Sequence, residues 1–390
     1  MKLNAQTAGA TDLRGEGRQH RAGEVKPTQT GQRRVVSLGL LMALLAGCGG
    51  SGAGGAPALP ATTYPALRAA DLAVLVAEGD ATSEAIALAY QQARGIPEAN
   101  MIRVAVPQAT DALTAADFAA VKSAIDARLP VGVQALLVTW SKPSRVHDSC
   151  SMGLTSALAF GYEARYCGGC VSTRASGYYD SDSGQPWTDH GLRPAMMLGA
   201  STLAEAQALI ARGLASEASL TRGGASGQAW LVRTSDAGRS VRSDDFRSLA
   251  ATRVPGVTMH YVDNAAGTGN NAVANQRNVL FYFTGLASVP DIATNTYLPG
   301  AVADHLTSSG GYLPDGGGQM PATAWLRAGV TGSFGTVEEP CNFAQKFPRA
   351  SVLVKHYARG NTLIEAYWKS VQWPGQGLFL GDPLARPWAP

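Results

Sequence analysis

Apolar and polar positions alternate along the chain in blocks that predict strand, helix, strand. Leu72–Ala77 is a short apolar run of the kind a buried strand shows, and it ends at Glu78-Gly79-Asp80. Thr82 or Ser83 can cap the helix that follows, whose apolar face is Ile86, Leu88, Ala89 and Ala93, and Gly95 and Pro97 close it. Residues 101–106 read as a second strand. Thr114 caps a second helix with Phe118, Val121 and Ile125 on one side, and residues 133–140 read as a third strand. A βαβαβ order of this kind favours a parallel sheet with helices on its faces.

The alternation breaks over residues 141–192, which are rich in Ser, Gly and Cys and offer a helix only around Leu154–Phe160. A loop of this length is usually functional or an inserted unit. Strands resume at 195–198, 229–232, 279–283 and 302–306, with helices at 203–214, 244–251 and 322–327. Residues 330–337 resemble a Gly-interrupted strand, 351–359 and 362–371 two helices, and 378–380 a last short strand before Gly381-Asp382-Pro383. No internal repeat is visible. The expectation is one α/β domain over 64–390, mostly parallel, with a large Cys-containing loop insertion.

Ahead of it the pattern is different. Arg33 and Arg34 precede an apolar stretch of about a dozen residues, too short to span a bilayer comfortably. It ends at Leu45-Ala46-Gly47-Cys48, which resembles the lipobox of bacterial lipoproteins. That resemblance makes residues 1–47 a leader and signal peptide and Cys48 the lipidated first residue of the mature chain. Residues 48–63, built of Gly, Ala, Ser and Pro, then form a flexible tether. It implies an envelope protein held to a membrane by lipid. Gly49 stands where an Asp commonly signals inner-membrane retention, so the outer membrane is expected if the cell is Gram-negative. Residues 1–32 are polar and lack apolar periodicity, so they read either as a disordered leader or, the preferred expectation, as sequence ahead of a translation start nearer Arg33.

Composition narrows the partners. Charged residues make up 16% and the net charge is +3, too balanced for a nucleic-acid or polybasic membrane surface. Hydrophobic residues make up 45%, enough for a sizeable core. With Cys48 assigned to lipid, Cys150, Cys167, Cys170 and Cys341 remain, and in an oxidising space disulfides are the default. Cys167-Gly-Gly-Cys170 lacks the strand-to-helix context of a thioredoxin motif. It reads as a structural staple, with metal binding and redox exchange as the other options, and Cys150 is near enough to partner either cysteine.

Several segments together resemble an uncharacterised family of exported bacterial proteins. They include 83–97 (SEAIALAYQQARGIP), 136–146 (LLVTWSKPSRV), 231–242 (LVRTSDAGRSVR), 329–340 (GVTGSFGTVEEP) and 381–387 (GDPLARP). The C-terminal part is also distantly similar to gingipain- and caspase-like cysteine peptidases. There a His-Gly follows one strand and a nucleophilic Cys follows the next. Here the first strand ends Phe283-Thr284-Gly285, and the next runs into Thr307-Ser308-Ser309-Gly310. The resemblance thus puts Thr284 at the His position and Ser308 or Ser309 at the Cys position, and implies that the dyad is absent.

Other candidates are weaker. Cys341, after Glu338-Glu339-Pro340, would be a nucleophile only with a base such as His305 or His356 in reach, and two neighbouring carboxylates raise a thiol's pKa. His305 is expected at a strand's carboxyl end, where open α/β sheets bind ligands, but Asp304 beside it should face the other way. Glu338 and Glu339 should likewise diverge, so only one can serve acid–base chemistry. Asp180-Ser-Asp182-Ser-Gly184 resembles part of a calcium loop but lacks its distal Glu, leaving Ca²⁺ as the one cofactor to consider. Asp236, Arg239 and Arg242 suit either an anionic group or a local ion-pair cluster. The expectation is therefore a non-catalytic, peptidase-like scaffold for binding or assembly with a protein or peptide partner, with a divergent, cysteine peptidase-like hydrolase of the periplasm or cell surface as the alternative.

Overall fold

The computed structural model describes residues 65–390. Cys48, its lipobox and the rest of residues 1–64 lie outside them. The first predicted unit forms as β1 (Leu72–Ala77), α1 (Ala81–Arg94), β2 (Met101–Val104), the short β3 (Ala112–Leu113), α2 (Ala115–Asp126) and β4 (Ala135–Val138). β1 and β4 are buried along their whole length, as expected of strands covered on both faces. Thr114 caps α2 by accepting from the Asp117 N–H at 3.1 Å, and Phe118, Val121 and Ile125 face inward. Two details of α1 differ from expectation. Its cap is Asp80, whose Oδ1 accepts from the N–H groups of Thr82 and Ser83, which leaves the Ser83 hydroxyl free to point into the sheet. Its buried face is Ser83, Ile86, Ala87 and Tyr90, so Leu88 is 52% exposed.

The insertion holds more regular structure than the expected single helix. It contains β5 (Arg145–His147), β6 (Ser151–Gly153), α3 (Leu154–Phe160) and α4 (Pro186–His190), with β3, β5 and β6 forming a separate three-stranded sheet. The chain continues through β7 (Ala195–Met197), α5 (Leu203–Ala215), β8 (Gly227–Arg233), α6 (Ser243–Ala250), β9 (Val257–Asp263) and β10 (Val279–Thr284). It ends with β11 (Tyr297–His305), α7 (Thr323–Arg327), β12 (Gly332–Thr336), α8 (Ala350–Ala358), α9 (Leu363–Ser370) and β13 (Gly377–Gly381). β9 escapes the sequence pattern because, at the sheet edge, its residues are only half-covered and show no apolar run.

The ten main strands form one sheet in the order β2-β1-β4-β7-β13-β12-β11-β10-β8-β9. Every neighbouring pair is parallel except β12 and β13. That antiparallel seam divides the sheet into two halves of five strands. Within each half the strands, taken in chain order, lie 2-1-3-4-5, the arrangement of a flavodoxin-like doubly wound sheet. The last strand of the chain completes the first half. A repeat of topology is therefore present where the sequence shows no repeat of residues. Apolar packing is continuous across the seam, from Val74 and Leu137 through Phe334 and Phe379 to Phe281 and Phe283. Side chains of this size contribute about 1.5–3 kcal/mol each when fully buried.

Candidate functional site at the carboxyl rim of the second half

Because the halves run in opposite directions, their carboxyl edges lie at opposite ends of the sheet. Doubly wound sheets bind ligands at such an edge, in the crevice where strand order reverses. In the first half that point lies between β1 and β4, and it is filled. Buried Ser83 accepts from the Ala77 N–H at 3.0 Å and donates to Thr139 Oγ1 at 2.8 Å, and Thr139 donates to Leu75 O at 2.9 Å. In the second half the point lies between β8 and β10, and it too is filled. Thr234 Oγ1 donates to Gly285 O at 2.9 Å, and the Arg242 guanidinium donates to Thr284 O at 3.1 Å and Pro348 O at 3.0 Å. A Cβ on Gly285 would lie 2.4 Å from Arg239 O, so the turn after β8 closes directly onto the end of β10.

Arg242 also meets Asp304 at 2.7 Å, both fully buried. Burial raises the Asp304 carboxyl and the guanidinium opposes it. Asp236 and Arg239 pair with each other at 2.8 Å, so the cluster after β8 serves structure and does not present an open anion cradle.

The accessible chemistry lies one step along the same edge, after β11 and β12. Ser308 is half-buried and donates from Oγ to Glu339 Oε2 at 2.5 Å. The other oxygen of Glu339 accepts from the Cys341 N–H at 2.8 Å. The N–H groups of Ser308 and Ser309 converge on Gln319 Oε1 at 2.7 and 3.3 Å, a nest of two backbone donors already occupied by the chain's own carboxamide. Glu338, two residues beyond the end of β12, turns the other way and accepts from the Gly168 N–H at 3.0 Å. Lys346 donates to Gly169 O; burial draws its ammonium down to about 8, with Glu338 and Glu339 opposing.

The structure corrects several expectations. Cys341 is disulfide-bonded to Cys170, and Cys150 to Cys167, with Cα–Cα distances of 5.1 and 5.8 Å. Cys341 therefore has no free thiol to act as nucleophile, and Cys167 and Cys170 do not staple to each other. Gly168 and Gly169, both with positive φ, let the backbone turn between them and send the two sulfurs to different partners. His305 is buried with both ring nitrogens engaged: Nδ1 accepts from Trp325 Nε1 at 3.0 Å, which leaves the proton on Nε2 to bond Met320 O at 3.1 Å. Burial pushes its pKa down to about 4, so it is a neutral structural ring. Thr284, at the position the resemblance gives to a histidine, is fully buried.

Asp180 and Asp182 are not arranged for a cation. Asp180 contacts Lys355 and lies 2.9 Å from His356 Nε2, and Asp182 lies 3.2 Å from Arg359. Burial raises the Asp180 carboxyl, but the Lys355 and His356 contacts outweigh it and hold it below its ordinary value. The two cationic side chains, Lys355 in α8 and Arg359 at its end, would oppose Ca²⁺ at this pair.

Ser308 and Glu339 were each visible in the sequence, one as a displaced nucleophile and one as a carboxylate, but their pairing was not. Gln319 carries no sequence signal beyond the three glycines that precede it. No family model matches the chain, and no curated protein matches it in sequence. A solved structure described as "Structure of Protease" is similar at a TM-score of 0.35 and 11% identity, covering 82% of this chain and 78% of that chain. A likeness that distant carries no argument about activity.

Proposed function

We propose that this chain is a lipid-anchored envelope protein whose carboxyl rim, in the second half of the sheet, binds a protein or peptide without cleaving it. The anchoring rests on the lipobox-like run ending at Cys48 and on the polar tether after it. The outer membrane is the expected site in a Gram-negative cell. The observation that carries the binding role is the state of the rim: Cys341 is locked to Cys170 and both nitrogens of His305 are committed, so no thiol and imidazole are free to work together. The half-buried Ser308 hydroxyl and the exposed Glu339 carboxylate are the rim groups that a bound polypeptide would meet. Fractionating cells that express the chain and its Cys48→Ser variant tests the anchor. The parent should sediment with membranes and the variant should not.

A second reading, a divergent hydrolase, is favoured by one contact, the Ser308 hydroxyl on the Glu339 carboxylate. A serine-directed probe such as a fluorophosphonate separates the two readings. Labelling at Ser308 that is lost in Glu339→Gln would replace the binding role with an enzymatic one.

A further inference from the structure

The two disulfides differ in a way their sequence positions do not announce. Cys150 and Cys167 are buried, at 6% and 3% exposure, and a reductant cannot approach them without local opening. Cys170 is exposed and Cys341 half-buried, so the second bridge lies open at the rim. Beside it sits Glu339, also exposed. One carboxylate oxygen of Glu339 and the sulfurs of Cys170 and Cys341 all lie within 4.8 Å of one another.

We propose that reduction of Cys170–Cys341 turns this part of the rim into a zinc site, with two thiolates and the Glu339 carboxylate as ligands and water in the fourth position. The reductant is a dithiol, small or carried by a thiol–disulfide oxidoreductase. It transfers two electrons and two protons to the bridge and becomes a disulfide itself. Metal binding then releases the two thiol protons to solvent as the Zn–S bonds form.

The geometry accommodates the change. Thiolates bound to zinc at about 2.3 Å each in a tetrahedron sit about 3.8 Å apart. Cysteines with Cα atoms 5.1 Å apart reach that separation by rotating their side chains. Two soft sulfurs and one carboxylate suit Zn²⁺ in preference to Ca²⁺ or Mg²⁺, which take oxygen ligands. Glu339 is already oriented, by the Ser308 hydroxyl on one oxygen and the Cys341 N–H on the other. Such second contacts fix a carboxylate for metal binding. Without a cation the reduced site would gather two thiols beside Glu338 and Glu339, which disfavours the thiolates. The metal removes that repulsion.

The test uses the full chain, oxidised and after mild anaerobic treatment with a dithiol, titrated with Co²⁺ and then Zn²⁺. Alkylation should mark Cys170 and Cys341 before Cys150 or Cys167. The reduced chain should bind one Co²⁺ with a thiolate-to-cobalt charge-transfer band that Zn²⁺ abolishes, and the oxidised chain should show none. Glu339→Gln, which keeps the side-chain shape, should weaken Co²⁺ binding at least about 10-fold, and Cys170→Ser should remove the band. The proposal is overturned if a correctly folded reduced chain gives no charge-transfer band, or if the band survives Cys170→Ser. It is also overturned if Glu339→Gln binds as tightly as the parent, or if reduction leaves a new Cys167–Cys170 bridge in place of free Cys170.

Discussion

The two halves of the sheet share one strand order and treat their carboxyl edges differently. Each fills the crevice at its reversal point with its own polar groups, Ser83 and Thr139 in the first half, Thr234, Ser240 and Arg242 in the second. Each also holds a buried Arg–Asp pair, Arg94 with Asp382 in the first and Arg242 with Asp304 in the second. In the second half, though, the loops after β11 and β12 carry Ser308, Glu338, Glu339 and an exposed disulfide that ties in the insertion. A shared topology thus fixes where a site can be. The loops that follow two particular strands decide what stands there, and in this chain they stand beside the usual crevice, not in it.

The comparison breaks first at the buried ion pairs. Asp304→Ala leaves the Arg242 guanidinium unpaired in the interior and should cost about 3–5 kcal/mol by urea denaturation. Asp382→Ala should cost a similar amount, since it strands Arg94 and removes the acceptor of the Tyr90 hydroxyl at 2.8 Å. A much smaller loss in one half would show that the two pairs are not equivalent.

Acid should come next. Burial pushes both His305 and His356 down to about 4, so the folded chain keeps them neutral. Between about 6.5 and about 4 the unfolded chain takes up protons that the folded chain refuses. Their contribution is therefore whole above about 6.5 and fades as pH falls, by up to about 3 kcal/mol for each ring. Asp304 and Glu365, raised by burial, pull the other way. The informative quantity is accordingly the difference between the parent and His305→Gln in denaturation midpoint against pH. The variant should lose less stability over that window.

The smallest effects separate structure from surface. Ser83→Ala strands the Ala77 N–H and should cost about 1–3 kcal/mol. Ser308→Ala removes a contact with an exposed carboxylate and should stay within about 0.5 kcal/mol of the parent. If Ser308→Ala proved as costly as Ser83→Ala, the rim would be structural in the same sense as the filled crevices.

Much of this frame was legible in the residues. The run Leu72–Ala77, the Thr114 cap and the Gly95 stop each report local physics, and each forms where expected. The α/β class follows from their alternation. What needed the structure was pairing at a distance. The topological repeat depends on strand order, which leaves no residue signature. β3, β5, β6 and α4 are too short to show a period. Cys167 and Cys170 look like partners because they are close in sequence, whereas Cys170 pairs with a residue 171 positions away. The opposed faces of Asp304 and His305 were foreseeable from strand alternation, but the Trp325 and Met320 partners that silence His305 come from a later loop and helix.

The central claim is that the rim holds no working thiol–imidazole pair, and the most direct test is a thiol-directed electrophile applied to the unreduced, folded chain, with adducts mapped by peptide. The account predicts no adduct at Cys150, Cys167, Cys170 or Cys341. An adduct at Cys341 that forms without reductant and disappears in His305→Gln would contradict it.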